Sequence, residues 1–284
     1  MTALATAIQP LWPLLKGLGD DPEPLFRSAG IEPDTLKRPN ARLPVVACNA
    51  VWVRASSRVA DPCFGVRYGE YWQPSMFGPL GYAWLTSATL RKAVDRFARY
   101  IDLVLEQGAV QVEDLKSGDV RIVVSYQGSA FTLPALADAL LSLMVRLCRL
   151  NYGDGLNPKA ITLFHSEPPE SGLYFEYFKC PVEFDAKSDS LTLSRAVVDM
   201  DLPSANPYLA NLNEQETIKI LAELDKDRVV DRVQAIIIDA LSDGDVTSEA
   251  VAVKLHMSSR TRGRQLQQQG PSVKAWVEHT RFKL

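Results

Sequence analysis

Four cysteines in 284 residues, Cys48, Cys63, Cys148 and Cys180, form no C-x-x-C pair, and there are only three histidines. A zinc site or a disulfide framework therefore has little to build with, and reduced thiols with no metal and no cofactor are the expectation. Long apolar runs are absent too: the longest, Ala135 to Leu150, is cut by Asp138, Arg146 and Arg149. A spanning helix needs about 20 consecutive apolar residues, so none is expected. Met1 to Leu15 is apolar but carries Pro10 and Pro13 and has no cationic start, so no signal peptide is expected and a cytoplasmic location is the expectation. Catalytic patterns are equally scarce. No G-x-S-x-G elbow occurs, and Lys16-Gly17-Leu18-Gly19 lacks the spacing of a phosphate loop. His165, Ser166 and Glu167 are consecutive in an extended stretch, where neighbours point to opposite faces, so His165 is expected to be structural and the protein is not expected to be an enzyme.

What is present is an ordinary globular composition, 46% hydrophobic and 23% charged, with a net charge of -3. The charge is unevenly placed. From Asp201 to Ala250 eleven acidic residues stand against four basic ones, whereas from Val251 to Leu284 seven basic residues stand against Glu278 alone. A basic tail on an acidic body is the footprint of a nucleic-acid-binding module; a solvated helix face gives the same pattern.

Apolar periodicity predicts helices over Pro44 to Val59 and Leu90 to Leu105, the second capped by Thr89. Val110, Val112 and Leu115 alternate with polar residues, as do Val120, Ile122, Val124 and Tyr126, and Ser117-Gly118-Asp119 between them predicts a hairpin. Leu133 to Leu150 returns to helix, followed by short strands at Ala160 to Phe164, Pro181 to Phe184 and Leu191 to Leu193 and a helical turn at Leu173 to Phe178. The fold class expected is α+β, a mixed first domain with a small antiparallel sheet and several helices, and then an all-α segment. Domain bounds of 1–203, a linker helix region 204–228 and a final part 229–284 follow from Pro203, Pro207 and the amphipathic stretch Tyr208 to Leu224, with Lys226 to Arg228 as the linker.

In that final part a helix from Val229 to Leu241 ends at Ser242-Asp243-Gly244-Asp245, and a short helix, Ser248 to Leu255, follows. His256-Met257-Ser258 makes a tight connection to a third helix, Ser259 to Gln269. Two short helices across a tight turn form the arrangement that lays its second helix in the DNA major groove, although simple helical packing produces such hairpins as well. Arg260, Arg264, Gln267 and Gln268 are the candidate DNA contacts, since forked donors and acceptors match guanine and adenine edges. Ser258 and Thr261 are candidates for positioning against phosphate.

The run Val251-Ala252, Leu255, Met257-Ser258, Arg260-Thr261, Arg264, Leu266 and Gly270 resembles the first helix-turn-helix of AraC/XylS-type transcriptional regulators. Asp61 to Arg67, Phe77 to Tyr82, Arg99-Tyr100, Phe178 to Val182 and Asp201-Leu202-Pro203 are similar to the arabinose-binding-type domain of the subgroup that includes ornithine-utilisation regulators. The resemblance implies a bacterial regulator with an effector-sensing, dimerising first domain and a DNA-binding second one, with double-stranded DNA, a small-molecule effector and a second copy as partners. The family carries two helix-turn-helix units, and this sequence stops at Leu284 within what resembles the helix joining them, so the second unit is expected to be missing. Arg262 replaces a leucine of the family pattern and Gly263 follows it, which weakens the recognition helix. The alternative expectation is a sensor that no longer reads DNA specifically and pairs with a full-length regulator. For the effector, Arg67, Tyr68, Trp72, Phe77, Tyr82 and Trp84 make an aromatic-rich stretch with one cation, which suits either a small-molecule pocket or the domain core.

Overall fold

The computed structural model describes residues 1–106, 108–126 and 133–242, with side chains up to Leu224. Contacts divide the chain into two units, Met1–Ile218 and Lys219–Leu284. The first unit opens with a strand that periodicity does not announce. β1 (Thr2–Leu4) pairs antiparallel with β2 (Arg42–Pro44), Ala3 opposite Leu43, and three residues are too few to show an alternation. Between them lie α1 (Leu11–Gly17) and α2 (Pro22–Ser28). Asp21 caps α2 by accepting from the Glu23 N–H at 3.1 Å.

Helix α3 (Val45–Arg58) follows, and the chain then descends through 3-10 turns at Phe64–Tyr71 and Pro74–Phe77 into α4 (Pro79–Leu85). α5 (Leu90–Tyr100) is capped by Thr89, whose hydroxyl accepts from the Lys92 N–H at 3.2 Å. It is shorter than its apolar pattern suggests, because the backbone tightens into a 3-10 turn over Ile101–Leu103. The hairpin comprises β3 (Gly108–Asp114) and β4 (Val120–Tyr126), and Gly118 at φ 85° supplies the left-handed turn residue.

The central helix is α6 (Pro134–Tyr152), ended by Gly153 at φ 112°. After it come β5 (Ala160–Thr162), α7 (Gly172–Phe178), β6 (Val182–Glu183), β7 (Asp189–Leu193) and α8 (Arg195–Val198). The second sheet has the order β3-β4-β7-β5-β6 and is antiparallel except for the edge pair β5–β6, which runs parallel. α7 provides the connection that a parallel pair requires.

α6 packs on the sheet, on α3, α4 and α5, and on the 3-10 segment Phe64–Tyr71. That last contact explains the glycine of the Phe64-Gly65-Val66 motif. A Cβ on Gly65 would stand 2.2 Å from the Ala135 carbonyl oxygen, so only a bare backbone lets the segment approach the helix. The final described element, α9, is a single helix, Pro207–Ser242, in which the backbone runs on through the 226–228 segment expected as a linker. The helices expected at Ser248 to Leu255 and Ser259 to Gln269 lie outside the described residues. Among the described residues no helix is long and apolar enough to cross a membrane.

Candidate functional site

Two helices of the first unit each turn one face toward a common hollow. α3 presents Val45, Cys48, Asn49 and Trp52, and α6 presents Leu136, Ala139, Leu140 and Leu143. Both sets follow the i, i+3, i+4, i+7 spacing of a single helix face. Together with Tyr68, Phe77 and Tyr126 they line a cavity of about 100 Å³. A smaller hollow of about 50 Å³ shares the walls Phe77, Val104, Leu105, Leu140 and Leu143 and continues toward Phe97 and the β3–β4 hairpin.

The walls are fixed by their own packing. Trp52 stacks with Phe64 at 6.1 Å between ring centroids and meets Tyr68 at 5.4 Å. Tyr68 is buried, and its hydroxyl donates to the Ala7 carbonyl. Burial pushes the Cys48 thiol up to about 12, as expected of a low-dielectric wall. No Asp, Glu, Lys or Arg lines the cavity among the described residues. The neighbouring Arg42 spends its guanidinium on Thr2, the Leu103 carbonyl and, at 3.5 Å, Glu106. The polar pole of the cavity is formed by the side chains of Asn49 and Tyr126.

On the other face of α6 a second buried cluster forms. Asp138 is fully buried and accepts from the Tyr174 hydroxyl at 2.7 Å, and its second oxygen lies 3.0 Å from His165 Nε2. The other ring nitrogen of His165 donates to the Ser166 carbonyl at 2.9 Å. Burial raises the Asp138 carboxyl; burial opposes charge on His165, but Asp138 outweighs it and raises the imidazole. The cluster joins α6 to α7 and the end of β5, and His165 is thereby occupied as a structural residue.

The six residues singled out for effector binding separate in the structure. Tyr68 and Phe77 meet on the cavity wall. Trp72 and Trp84 are buried elsewhere in the core, Trp72 against Phe77 at 4.9 Å and Trp84 donating from Nε1 to the Leu147 carbonyl at 2.9 Å. Tyr82 is exposed. Arg67 is exposed as well and borders a wide polar groove shared with Glu70, Arg146, Glu176 and Lys179. Sequence reasoning missed Asn49, Trp52, Tyr126 and the α6 face; the helical spacing of Leu136, Leu140 and Leu143 was visible but looks the same for solid core. Ser258, Arg260, Thr261, Arg264, Gln267 and Gln268 lie outside the described residues.

Comparison with known proteins gives a consistent set of likenesses. The family model for the arabinose-binding domain of AraC transcription regulators, N-terminal, matches residues 19–202. The chain is 25% identical over 281 residues to an ornithine utilization regulator of Pseudomonas aeruginosa, covering 95% of this chain and 80% of that protein. Its fold is similar to the crystal structure of the transcriptional regulator CdpR from Pseudomonas aeruginosa, with a TM-score of 0.54 at 19% identity, over 96% of this chain and 83% of that one.

Proposed function

Since the chain belongs to the AraC transcription regulators with an arabinose-binding N-terminal domain, regulators rather than enzymes, we propose that it binds promoter DNA under the control of a small-molecule effector. The observation that carries the sensing role is the cavity between α3 and α6, lined by apolar walls around one polar pair and built mostly from residues inside the span matched by the family. Sensing and dimerisation are assigned to residues 1–203, DNA reading to 229–284, and the connection to the helical region 204–228. In the second part Arg260, Arg264, Gln267 and Gln268 read base edges, with Ser258 and Thr261 on phosphates. Occupancy of the cavity shifts the population of subunit arrangements and with it the spacing of the reading helices on DNA.

A gel-shift titration of the full chain on the promoter fragments of its own genome tests this. The expected result is one fragment bound at least tenfold more tightly than unrelated DNA of equal length, with an affinity that changes when effector is added. Equal affinity for all fragments at every effector concentration overturns the proposal.

A further inference from the structure

We infer that the effector is an uncharged molecule with a compact hydrocarbon part and one hydrogen-bonding end, which it docks at Asn49 and Tyr126. This deepens the sensing role proposed above and rests on it.

The first argument is electrostatic. A carboxylate or ammonium carried between the apolar walls would lose hydration, a loss worth several kcal/mol per ion, and no described lining residue is charged; the charge of the nearby Arg42 reaches Cys48 but is balanced by Glu106 at 3.5 Å. Residue 107 and residues 127–132, which follow Tyr126, carry no charged side chain in the sequence either. An amino acid such as ornithine, which carries one carboxylate and two ammonium groups at pH 7, is thereby disfavoured. The second argument is size. An engineered apolar protein cavity of about 150 Å³ holds a benzene molecule, and here hollows of about 100 and 50 Å³ share five wall residues. The apolar part therefore has on the order of six to eight carbons, laid against Trp52, Leu140 and Leu143. The third argument is hydrogen-bond capacity. Tyr68 is already committed to the Ala7 carbonyl, whereas the Asn49 side-chain amide offers both a donor and an acceptor at the cavity wall. One polar end is what the cavity can satisfy.

The test uses the full chain and three probes at pH 7.5: 1-octanol, octanoate and ornithine. Trp52 lies on the wall, so octanol is expected to cause a saturable change in tryptophan emission that Trp52→Phe removes, together with a rise in Tm; octanoate and ornithine cause neither. Asn49→Ala is expected to weaken octanol about three- to tenfold, the worth of one hydrogen bond. Ala139→Leu fills the hollow and is expected to abolish the octanol response without lowering Tm; should it fold poorly, Asn49→Asp gives the same loss by placing a carboxylate at the polar end. Saturable binding of octanoate or ornithine in preference to octanol, or no binding by any of the three, overturns the inference. Octanol binding that leaves DNA affinity unchanged in the gel shift sinks the sensing role instead and leaves the cavity chemistry standing.

Discussion

Glu214 on α9 accepts a hydrogen bond from Arg96 Nε on α5 at 2.9 Å, and its second oxygen receives the Tyr100 hydroxyl at 2.8 Å and lies 3.3 Å from Arg99. Both Arg96 and Glu214 are largely shielded, so the pair is not a surface ion pair of negligible worth. Burial works against the charge on Glu214, yet the Arg96 and Tyr100 hydrogen bonds and the two guanidinium charges hold its carboxyl below the usual range. A depressed carboxylate contributes stability above its unfolded-state pKa and loses it as pH falls through the folded one. Glu214→Gln is expected to cost about 1–3 kcal/mol at pH 7 in urea unfolding, and the cost should shrink toward zero below pH 4. An equal cost at both pH values contradicts the ionic origin.

Gly65→Ala tests the packing of the 64–71 segment on α6. The new Cβ would lie 2.2 Å from the Ala135 carbonyl oxygen, which is backbone and cannot swing aside. The segment must lift from the helix, at about 2 kcal/mol or more. Gly118→Ala is strained differently, since its Cβ meets nothing within 4 Å and the only penalty is the φ of 85°. The cost there is expected near 1 kcal/mol, so the order of the two Tm losses, with Gly65 the larger, is the check.

The buried cluster on α6 sets a pH dependence. Burial raises Asp189 to about 6, although its oxygen accepts from the Phe164 N–H at 2.9 Å, and Asp138 is raised for the same reason. His165 is raised by Asp138 against the effect of burial. All three bind protons more readily folded than unfolded, so the cluster's contribution to stability is fully present at the acid side and is lost as pH climbs from about 4 through 6 and past 6.5, opposite in sign to that of Glu214. Asp189→Asn keeps an acceptor for Phe164 and removes the charge. It is expected to flatten the stability curve between pH 4 and 6 by about 2 kcal/mol, leaving the His165 portion in place, as followed by chemical denaturation across pH.

Much of this fold was legible wherever a run was long enough to display a period. α3, α6 and the β3–β4 hairpin repeat an apolar pattern over at least two helical turns or three strand alternations, and Thr89 announces its cap by side-chain chemistry. β1 and β2 did not show, because strands of three residues hold no period and pair only through contacts 40 residues apart. The end of α5 at Tyr100 was hidden for another reason: Ile101, Val104 and Leu105 stay on the apolar face while the backbone tightens. Of the aromatics expected at an effector pocket, Tyr68 and Phe77 line the cavity, whereas Trp72 and Trp84 are buried in the core away from it. A hollow is a property of what two faces fail to fill. Leu136, Leu140 and Leu143 carry no mark in sequence that distinguishes a cavity wall from a packed one.

The base reading proposed for Arg264 and Gln267 has a signature that separates it from bulk attraction to phosphate. A side chain bonded to a base edge contributes about 1–3 kcal/mol to one sequence and nothing to others, so Arg264→Ala or Gln267→Ala should weaken the specific fragment about 5- to 150-fold and leave unrelated DNA nearly unchanged. Thr261→Ala, on the phosphate side of the proposed interface, should weaken every fragment by the same smaller factor of about three to ten. Arg260→Ala adds a salt criterion: if its guanidinium reads a base, the slope of log affinity against log salt stays constant, whereas a phosphate contact would lower its magnitude by roughly one. Arg262 calls for the opposite outcome. On the proposed alignment with the family's reading helix it stands in place of a leucine, so Arg262→Leu should raise both the Tm of the full chain and its affinity for the specific fragment. A lower affinity in that variant would mean that Arg262 itself contacts DNA, and the boundaries of the reading helix would have to move with it.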